Sequence, residues 1–285
     1  MRSISSIDEW RAYCEEVRRT GGRVGLVPTM GALHEGHASL FERARRDGTV
    51  VVATIFVNPR QFNDDGDLRS YPRTPRDDRA MARRHGVDCL VEPRLDEMWP
   101  DYPRPTATTV SVRGVADGFE GAGRPGHFDG VASVVAKLLA ITGPCTAYFG
   151  EKDFQQVAVV RAMVRDLGFA ATVVACPIVR EPDGLALSSR NRRLSPQGRE
   201  RATALSRALT RAAREPAPAS EVRATLRATL EEAGVAVAYA DVVDPVRVTP
   251  SGDDESGERR ALVAGIIDGV RLIDNGPVTL VAREA

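Results

Sequence analysis

The sequence predicts an α/β protein, a mostly parallel sheet with helices on both faces, followed by a smaller α+β unit. Three observations lead there. Short, nearly continuous runs of β-branched and apolar residues, RVGLV at 23–27 and TVVVATIFV at 49–57, read as strands covered on both sides. Segments of helical periodicity alternate with such runs, which is the order a β-α-β repeat produces. After Pro177 the texture changes to Ala- and Arg-rich helical stretches and then to strand-like runs. The expected division is residues 1–178 and residues 179–285, the smaller part closing over the active site of the larger.

Each element has its own signal. Ser6 with Glu9 matches the S-x-x-E capping box and opens a helix running to about Arg19, where Gly21 and Gly22 end it. The strand at 23–27 leads through a helix at 37–46 to the strand at 49–57. Helix and strand then alternate: helix 75–85, strand 87–91, helix 130–141, strand 146–149, helix 153–167 and strand 171–176. A Gly- and Ser-rich turn at 183–189 precedes helices at 196–214 and 220–233. Strands at 237–243, 261–268 and 270–273, with a polar loop at 250–258, complete the second part.

Composition narrows the function. Of 285 residues, 39 are Lys or Arg and 39 are Asp or Glu, so the chain has no basic excess with which to bind nucleic acid or an anionic membrane surface in general. No nucleic-acid or membrane partner is expected. The first residues contain no apolar leader core, and the apolar stretch at 131–141 is short and carries Lys137, so the expected location is cytoplasmic. Cys14, Cys89, Cys145 and Cys176 are far apart and form no C-x-x-C pair; they read as buried thiols. Lys137 and Lys152 are the only lysines among 39 basic residues. A compact ammonium differs chemically from a guanidinium, which singles out Lys152 within the polar string Gly150, Glu151, Lys152, Asp153.

The chemistry-bearing residues fall at strand ends. Directly after the first predicted buried strand comes PTMGALHEGH, with His34, Gly36 and His37 forming H-x-G-H. In an open parallel sheet ligands lie beyond the carboxyl ends of the strands. A helix beginning there offers unpaired N–H groups to phosphate, and Gly31 and Gly36 allow close backbone approach. Two imidazoles three residues apart can donate to phosphate oxygens. Zinc is the first rival, but H-E-G-H lacks the i, i+4 spacing of H-E-x-x-H, and His85 and His127 have no ligand-like neighbours.

Asn58 and Gln61 stand at the end of the next strand, where amides suit hydroxyl and carboxylate groups; an Asn-Pro turn with a surface Gln is the bland alternative. Lys152 could neutralise a transferring phosphoryl group, with Asp153 at a helix start and Gln156 one turn on. Leu187, Ser188, Ser189 and Arg190 look like a phosphate clamp, or else a polar linker that caps the following helix. Arg124 to Phe128 reads as a mobile basic loop near the phosphates or as an irregular connection. Asp77 and Asp78 at a helix start read chiefly as dipole compensation, with magnesium coordination the minority reading.

Taken in order, VPTMGALHEGH, IFVNPRQF, RPGHFDGV, FGEKDFQQ and LSSRN closely resemble the AMP-forming pantoate:beta-alanine ligases, the pantothenate synthetase family. The resemblance implies a Rossmann-like nucleotidyltransferase domain of the H-x-G-H type. It implies condensation of ATP with pantoate to a pantoyl adenylate, displacement of AMP by beta-alanine, magnesium as the companion of ATP, and a homodimer. By matching position it assigns ATP to Met30, Gly31, Ala32, Leu33, His34, Glu35, Gly36, His37, Gly150, Glu151, Lys152, Asp153, Val179, Leu187, Ser188, Ser189 and Arg190. Pantoate falls to Gln61 and Gln156, with Asn58 added from its place at the same strand end, and beta-alanine borders Gln61.

The charge developing on oxygen during adenylation calls for donors at His34, His37, Lys152, Ser188, Ser189 and Arg190. Three positions depart from the family pattern: Arg60 replaces Met or Thr, Leu187 replaces Met, and Arg193 replaces Tyr. Two rivals stand beside this reading. One is an H-x-G-H enzyme that joins a nucleotide to a phosphate ester, for which Gln61 and Gln156 make too neutral a pocket. The other is a catalytically silent ATP-binding module.

Overall fold

The structure is a computed structural model that describes residues 1–283, the side chain of Asp65 excepted. These residues form two compact units, one of Met1–Glu151 with Val159–Pro177, the other of Lys152–Ala158 with Ile178 onward. No sequence pattern announces that the short piece Lys152–Ala158 belongs with the second unit.

The first unit comprises β1 (Arg2–Ile4), α1 (Ile7–Arg19), β2 (Val24–Thr29), α2 (Glu35–Arg46), β3 (Val50–Ile55), α3 (Asp65–Ser70), α4 (Pro75–Arg84), β4 (Cys89–Val91), α5 (Leu95–Met98), α6 (Phe119–Gly123), α7 (His127–Thr142) and β5 (Cys145–Gly150). Helix α8 (Phe154–Asp166) starts in the second unit and returns to the first, which ends with β6 (Ala171–Cys176). Among the described residues the sheet has six strands in the order β1-β4-β3-β2-β5-β6, every pair parallel. The chain builds outward from β2 on one side and from β5 on the other, so the order reverses between these two neighbours.

Both faces of the sheet are covered, which is why the strand sequences are apolar almost throughout. Val27 of β2 packs with Phe41 and Ala44 of α2 and with Ala82 of α4. Val24 and Leu26, on the alternate face by strand periodicity, are also buried. Helices α1 and α7 pack on one another, and α7 is buried on nearly every side. Each fully buried large side chain, Phe41 and Trp10 among them, contributes roughly 1.5–3 kcal/mol of transfer free energy.

The three-residue edge strand β1 and the short helices α3, α5 and α6 lie below the length at which periodicity is readable. The capping box expected at Ser6 is not formed. Ser6 is the N-cap residue but makes no side-chain cap bond, and the Ile7 N–H donates instead to Glu97 Oε2 at 2.8 Å. A carboxylate from the distant helix α5 outcompetes the local hydroxyl.

The second unit contains α9 (Pro196–Ala202), α10 (Ala204–Ala212), α11 (Ala219–Glu232), β7 (Ala236–Val243), β8 (Gly257–Ile267) and β9 (Val270–Leu280). Its strands form an antiparallel sheet in the order β7-β8-β9. Leu205, Leu209, Leu226 and Leu230 of the helices pack on Val263, Leu272 and Val278 of the sheet. The helix expected over 196–214 is two helices, broken at Thr203, whose hydroxyl donates to the Glu200 carbonyl at 2.7 Å and competes with the helical ladder. Strand β9 runs to Leu280, well past the 270–273 expected, through Asp274-Asn275-Gly276-Pro277. As the edge strand it tolerates a proline whose missing N–H no partner needs.

Cys14, Cys89 and Cys176 are buried and Cys145 is half-buried; all four are free thiols. Burial pushes Cys14 and Cys176 up to about 11, and Cys89 and Cys145 up to about 12. The native protein should therefore resist a thiol-specific reagent at pH 8 and release four equivalents only after denaturation. Rapid titration of two or more thiols in the folded state would contradict this packing.

Candidate functional site

The reversal of strand order between β2 and β5 fixes where a ligand site belongs, in the crevice beyond their carboxyl ends. The loop after β2 carries Met30, Gly31, Ala32, Leu33 and His34. The end of β5 carries Gly150, followed by Glu151. The end of the adjacent β3 leads to Asn58 and Gln61. The first unit thus gathers the Met30 to His37, Asn58–Gln61 and Gly150–Glu151 candidates at one edge of its sheet.

The loop between β2 and α2 is held open by unusual backbone. Gly31 has φ +80° and Ala32 φ +49°, and a Cβ on Gly31 would lie 3.0 Å from Asp78 Oδ2. Asp78, at the start of α4, maintains this conformation. It is 2% exposed and accepts from Ala32 N–H (3.0 Å), Leu33 N–H (2.8 Å) and the Thr74 hydroxyl (3.0 Å). Thr29 adds a bond from the strand side, its hydroxyl accepting from Gly31 N–H at 3.2 Å and donating to the Thr54 carbonyl at 2.7 Å.

These contacts correct the magnesium assignment. Both oxygens of Asp78 already accept protein donors, and Asp77 is an exposed helix-start residue. Among the described residues no group of three or more His, Cys, Asp or Glu side chains is placed to hold a metal ion. Asp78 shapes the loop, and the pair does not fit a metal.

Helix α2 begins with an imidazole version of the capping box. His34 is the N-cap, and its Nδ1 accepts from Gly36 N–H at 3.2 Å; His37, at the third helical position, accepts from His34 N–H on its own Nδ1, also at 3.2 Å. An Nδ1 that accepts a backbone N–H carries no proton, so in each neutral ring the hydrogen sits on Nε2. The two ring centroids are 4.1 Å apart. H-x-G-H therefore does two things at once: it satisfies orphan N–H groups at the helix start, and it fixes two imidazoles as Nε2–H donors.

Asn58 is not a ligand-facing group. It is 1% exposed, its Nδ2 donates to Gln61 Oε1 (3.0 Å) and the Gly130 carbonyl (3.1 Å), and its Oδ1 accepts from Trp99 Nε1 (3.0 Å) and Arg60 N–H (3.3 Å). Every hydrogen-bonding capacity of the amide is used inside the protein. Its effect is to orient Gln61, whose oxygen it occupies and whose Nε2 then lies 3.1 Å from Met30 Sδ. His127 holds the Gln61 main chain, with Nδ1 2.8 Å from the Gln61 carbonyl and Nε2 3.0 Å from Arg124.

Trp99 is steadied in turn by Lys137. The ammonium lies 5.4 Å over the Trp99 ring and donates to the carbonyls of Glu97 (3.0 Å) and Met98 (2.6 Å), and burial lowers its pKa. Lys137, on α7, is thus a structural lysine that binds the carbonyls at the end of α5. Arg60 does not alter the Gln61 side: its guanidinium lies over Trp99 (5.1 Å) and Tyr102 (6.0 Å) and donates to the Arg104 carbonyl at 2.7 Å.

Asn58→Ala should leave Gln61 unfixed and Trp99 Nε1 unpaired. The expected cost is about 2–4 kcal/mol of stability, read as a lower melting temperature; a variant that melts with the wild type would contradict the buried network.

The second unit contains the remaining candidates. Lys152 lies in a single turn before α8, its side chain 20% exposed and its Nζ 3.9 Å from Asp153 Oδ1; Gln156 is half-buried on the first turn of α8. Val179 and Leu187 are brought together by a tight hairpin, in which Leu187 N–H donates to the Val179 carbonyl at 3.0 Å and Arg180 bridges to Ala186. Leu187 is half-buried there.

Ser188 caps a short turn over Ser189–Arg193, accepting from Arg190 N–H at 3.3 Å. Buried Asn191 ties that turn to the hairpin through Glu181 (3.1 Å) and the Ala186 carbonyl (3.1 Å), and Arg199 pairs with Glu181 at 2.6 Å, holding that carboxyl below its usual range. The hairpin is anchored to β9 by a two-bond pair between Arg180 and Asp274 (2.6 and 3.0 Å), with Asp274 buried. Arg193 is exposed.

Comparison with known proteins agrees with this geometry. Residues 2–277 match the family described as Pantoate-beta-alanine ligase. The pantothenate synthetase of Cereibacter sphaeroides (strain ATCC 17029 / ATH 2.4.9) is 50% identical over 279 residues, 96% of this chain and 99% of that protein. That of Thermus thermophilus (strain ATCC 27634 / DSM 579) is 49% identical over 281 residues, covering 96% and 98%. A crystal structure of the Thermus thermophilus pantothenate synthetase superposes with a TM-score of 0.87 at 45% identity, covering 97% of this chain and 99% of that one. The Francisella tularensis ligase, crystallised with beta-gamma ATP and beta-alanine, superposes at 0.79 with 33% identity and 97% coverage of each. Among the described residues no helix is long and apolar enough to cross a membrane. A match spanning both units and every strand-end motif leaves one assignment: the chain belongs to the pantoate–beta-alanine ligase family.

Proposed function

We propose that the protein makes pantothenate from (R)-pantoate and beta-alanine at the expense of ATP, through a pantoyl adenylate. The observation that carries this reading is the pairing of two Nε2–H imidazoles at the start of α2 with a neutral, pre-oriented amide at Gln61. Nε2–H donors at a helix N-terminus suit phosphate, and the neutral amide suits a hydroxy acid better than a second phosphate ester.

In the first half-reaction a pantoate carboxylate oxygen attacks the α-phosphorus. The bond from that phosphorus to the bridging oxygen breaks, and pyrophosphate leaves. His34 and His37 donate to the phosphate oxygens as negative charge accumulates, and His37 is assigned the stabilisation of the leaving group. Lys152, Ser188, Ser189 and Arg190 are assigned to the same nucleotide, and Gln61 and Gln156 to pantoate. The triphosphate enters as its magnesium complex, a substrate, with no protein residue assigned to the metal. In the second half-reaction the beta-alanine amine attacks the acyl carbon, the bond to the AMP oxygen breaks, and the amine releases a proton as AMP departs. Keeping water away between the halves preserves the acyl adenylate.

Purified protein with ATP, magnesium and D-pantoate, with and without beta-alanine, tests the reading. AMP and pantothenate should appear together only with both substrates, and pyrophosphate without the amine should stop near one enzyme equivalent. Pyrophosphate release with a phosphorylated acceptor and none with pantoate would favour the phosphate-ester alternative, and AMP formation would eliminate a silent module. A homodimer is part of the same proposal, and light scattering at the chain mass of 30.8 kDa would remove it.

A further inference from the structure

We propose that Asn275 is a positioning residue that sets the place of Lys152, with Arg260 behind it; the inference rests on the assignment of Lys152 to the nucleotide phosphates. Asn275 sits in mid-strand on β9, opposite Leu262 of β8, and is 2% exposed. Its Nδ2 donates to the Lys152 carbonyl at 3.0 Å, across 123 residues of sequence, and its Oδ1 accepts from Arg260 Nε at 2.7 Å. The Arg260 guanidinium lies 4.9 Å over the ring of Phe154, two residues beyond Lys152. The turn that carries the lysine is therefore gripped at two points, a main-chain carbonyl and an aromatic ring, by two neighbouring strands of the second unit.

This grip accounts for the grouping of Lys152–Ala158 with the second unit although the chain on either side belongs to the first. It also explains a polar residue in the interior of a strand. The site needs one group that accepts from Arg260 and donates to a carbonyl at the same time, which a carboxamide does and a carboxylate does not. An amide buried at this depth is stable only because both ends are matched. A displacement of about 1 Å in a charge-neutralising group is enough to slow phosphoryl transfer by up to about a hundredfold, so the backbone bond bears directly on rate.

Asn275→Asp tests this. It preserves the bond from Arg260 and sets a carboxylate oxygen against the Lys152 carbonyl. Pantoate-dependent ATP–pyrophosphate exchange and ATP affinity by titration calorimetry are measured for the wild type, Asn275→Asp, Lys152→Ala and the double variant, alongside thermal melting. The expected result is a fall of about 30-fold in the exchange kcat/KM in the Lys152 background and less than about twofold in the Lys152→Ala background, because the two changes act through one group. Arg260→Met, which keeps contact with Phe154, should show a smaller loss with the same background dependence, and replaces Asn275→Asp as the test if that variant fails to fold.

Exchange within about threefold of wild type, or an equal loss in both backgrounds, overturns the role of Asn275. A wild type that shows no pantoate-dependent exchange sinks the functional reading instead. The ATP affinities then decide whether Asn275 and Lys152 are coupled, and additive effects on affinity overturn the positioning role in that case too.

Discussion

Replacing Asp78 by alanine should disrupt the loop proposed to hold the nucleotide and cost much of the stability of the first unit. The carboxylate satisfies two buried backbone N–H groups of the loop after β2, at Ala32 and Leu33. Without it both are orphaned, and each unsatisfied donor costs about 1–3 kcal/mol. The left-handed backbone of Gly31 and Ala32 loses its brace at the same time, so His34 no longer enters α2 from a fixed direction. Activity should fall at least about a hundredfold, with a lower melting temperature. Asp78→Asn should fare little better, because whichever way the amide turns, one buried N–H faces an NH2 group. The loss should not respond to excess magnesium. Activity recovered by raising the magnesium concentration would restore a metal-binding role.

The second large effect separates the two tasks of His37. Glutamine at the third position of a helix can accept from the N-cap N–H as His37 Nδ1 does, so His37→Gln should melt within about 2 °C of the wild type. With its Oε1 committed to that bond, its NH2 is displaced from the position that the imidazole Nε2–H occupies, and adenylation should slow by about a hundred- to a thousandfold. His37→Ala loses the cap as well, at a further cost of about 1 kcal/mol. Pyrophosphate exchange and thermal melting on the two variants give the separation. A glutamine variant with near-normal exchange would show that the imidazole only caps the helix.

The parallel sheet was legible because its strands are covered on both faces and therefore nearly uniform in composition. The candidate residues lie at strand ends, which in the first unit local patterns locate to within about two residues. What supports the site was not legible, for a physical reason. Asp78 and the loop it braces are 45 residues apart, and nothing in a helix-start aspartate distinguishes a dipole partner, a metal ligand and a receptor for distant N–H groups. The amide of Asn58 meets an indole, and an amide at a strand end looks the same in sequence whether it faces a ligand or an indole. Asp274-Asn275-Gly276-Pro277 reads as a turn by composition and is a strand because its buried polar groups are matched by Arg180, Arg260 and Lys152.

Those successive residues of β9 have a consequence for recombining this protein with its relatives. Asp274 holds the hairpin that precedes Ser188, and Asn275 holds the turn that carries Lys152. One strand thus keeps two segments together that are distant in the gene. A chimera with a single crossover after Pro177 would take the lysine turn from one parent and the strand that grips it from the other. A chimera that transfers residues 152–158 together with the C-terminal part keeps each parent's turn on the strand with which it evolved.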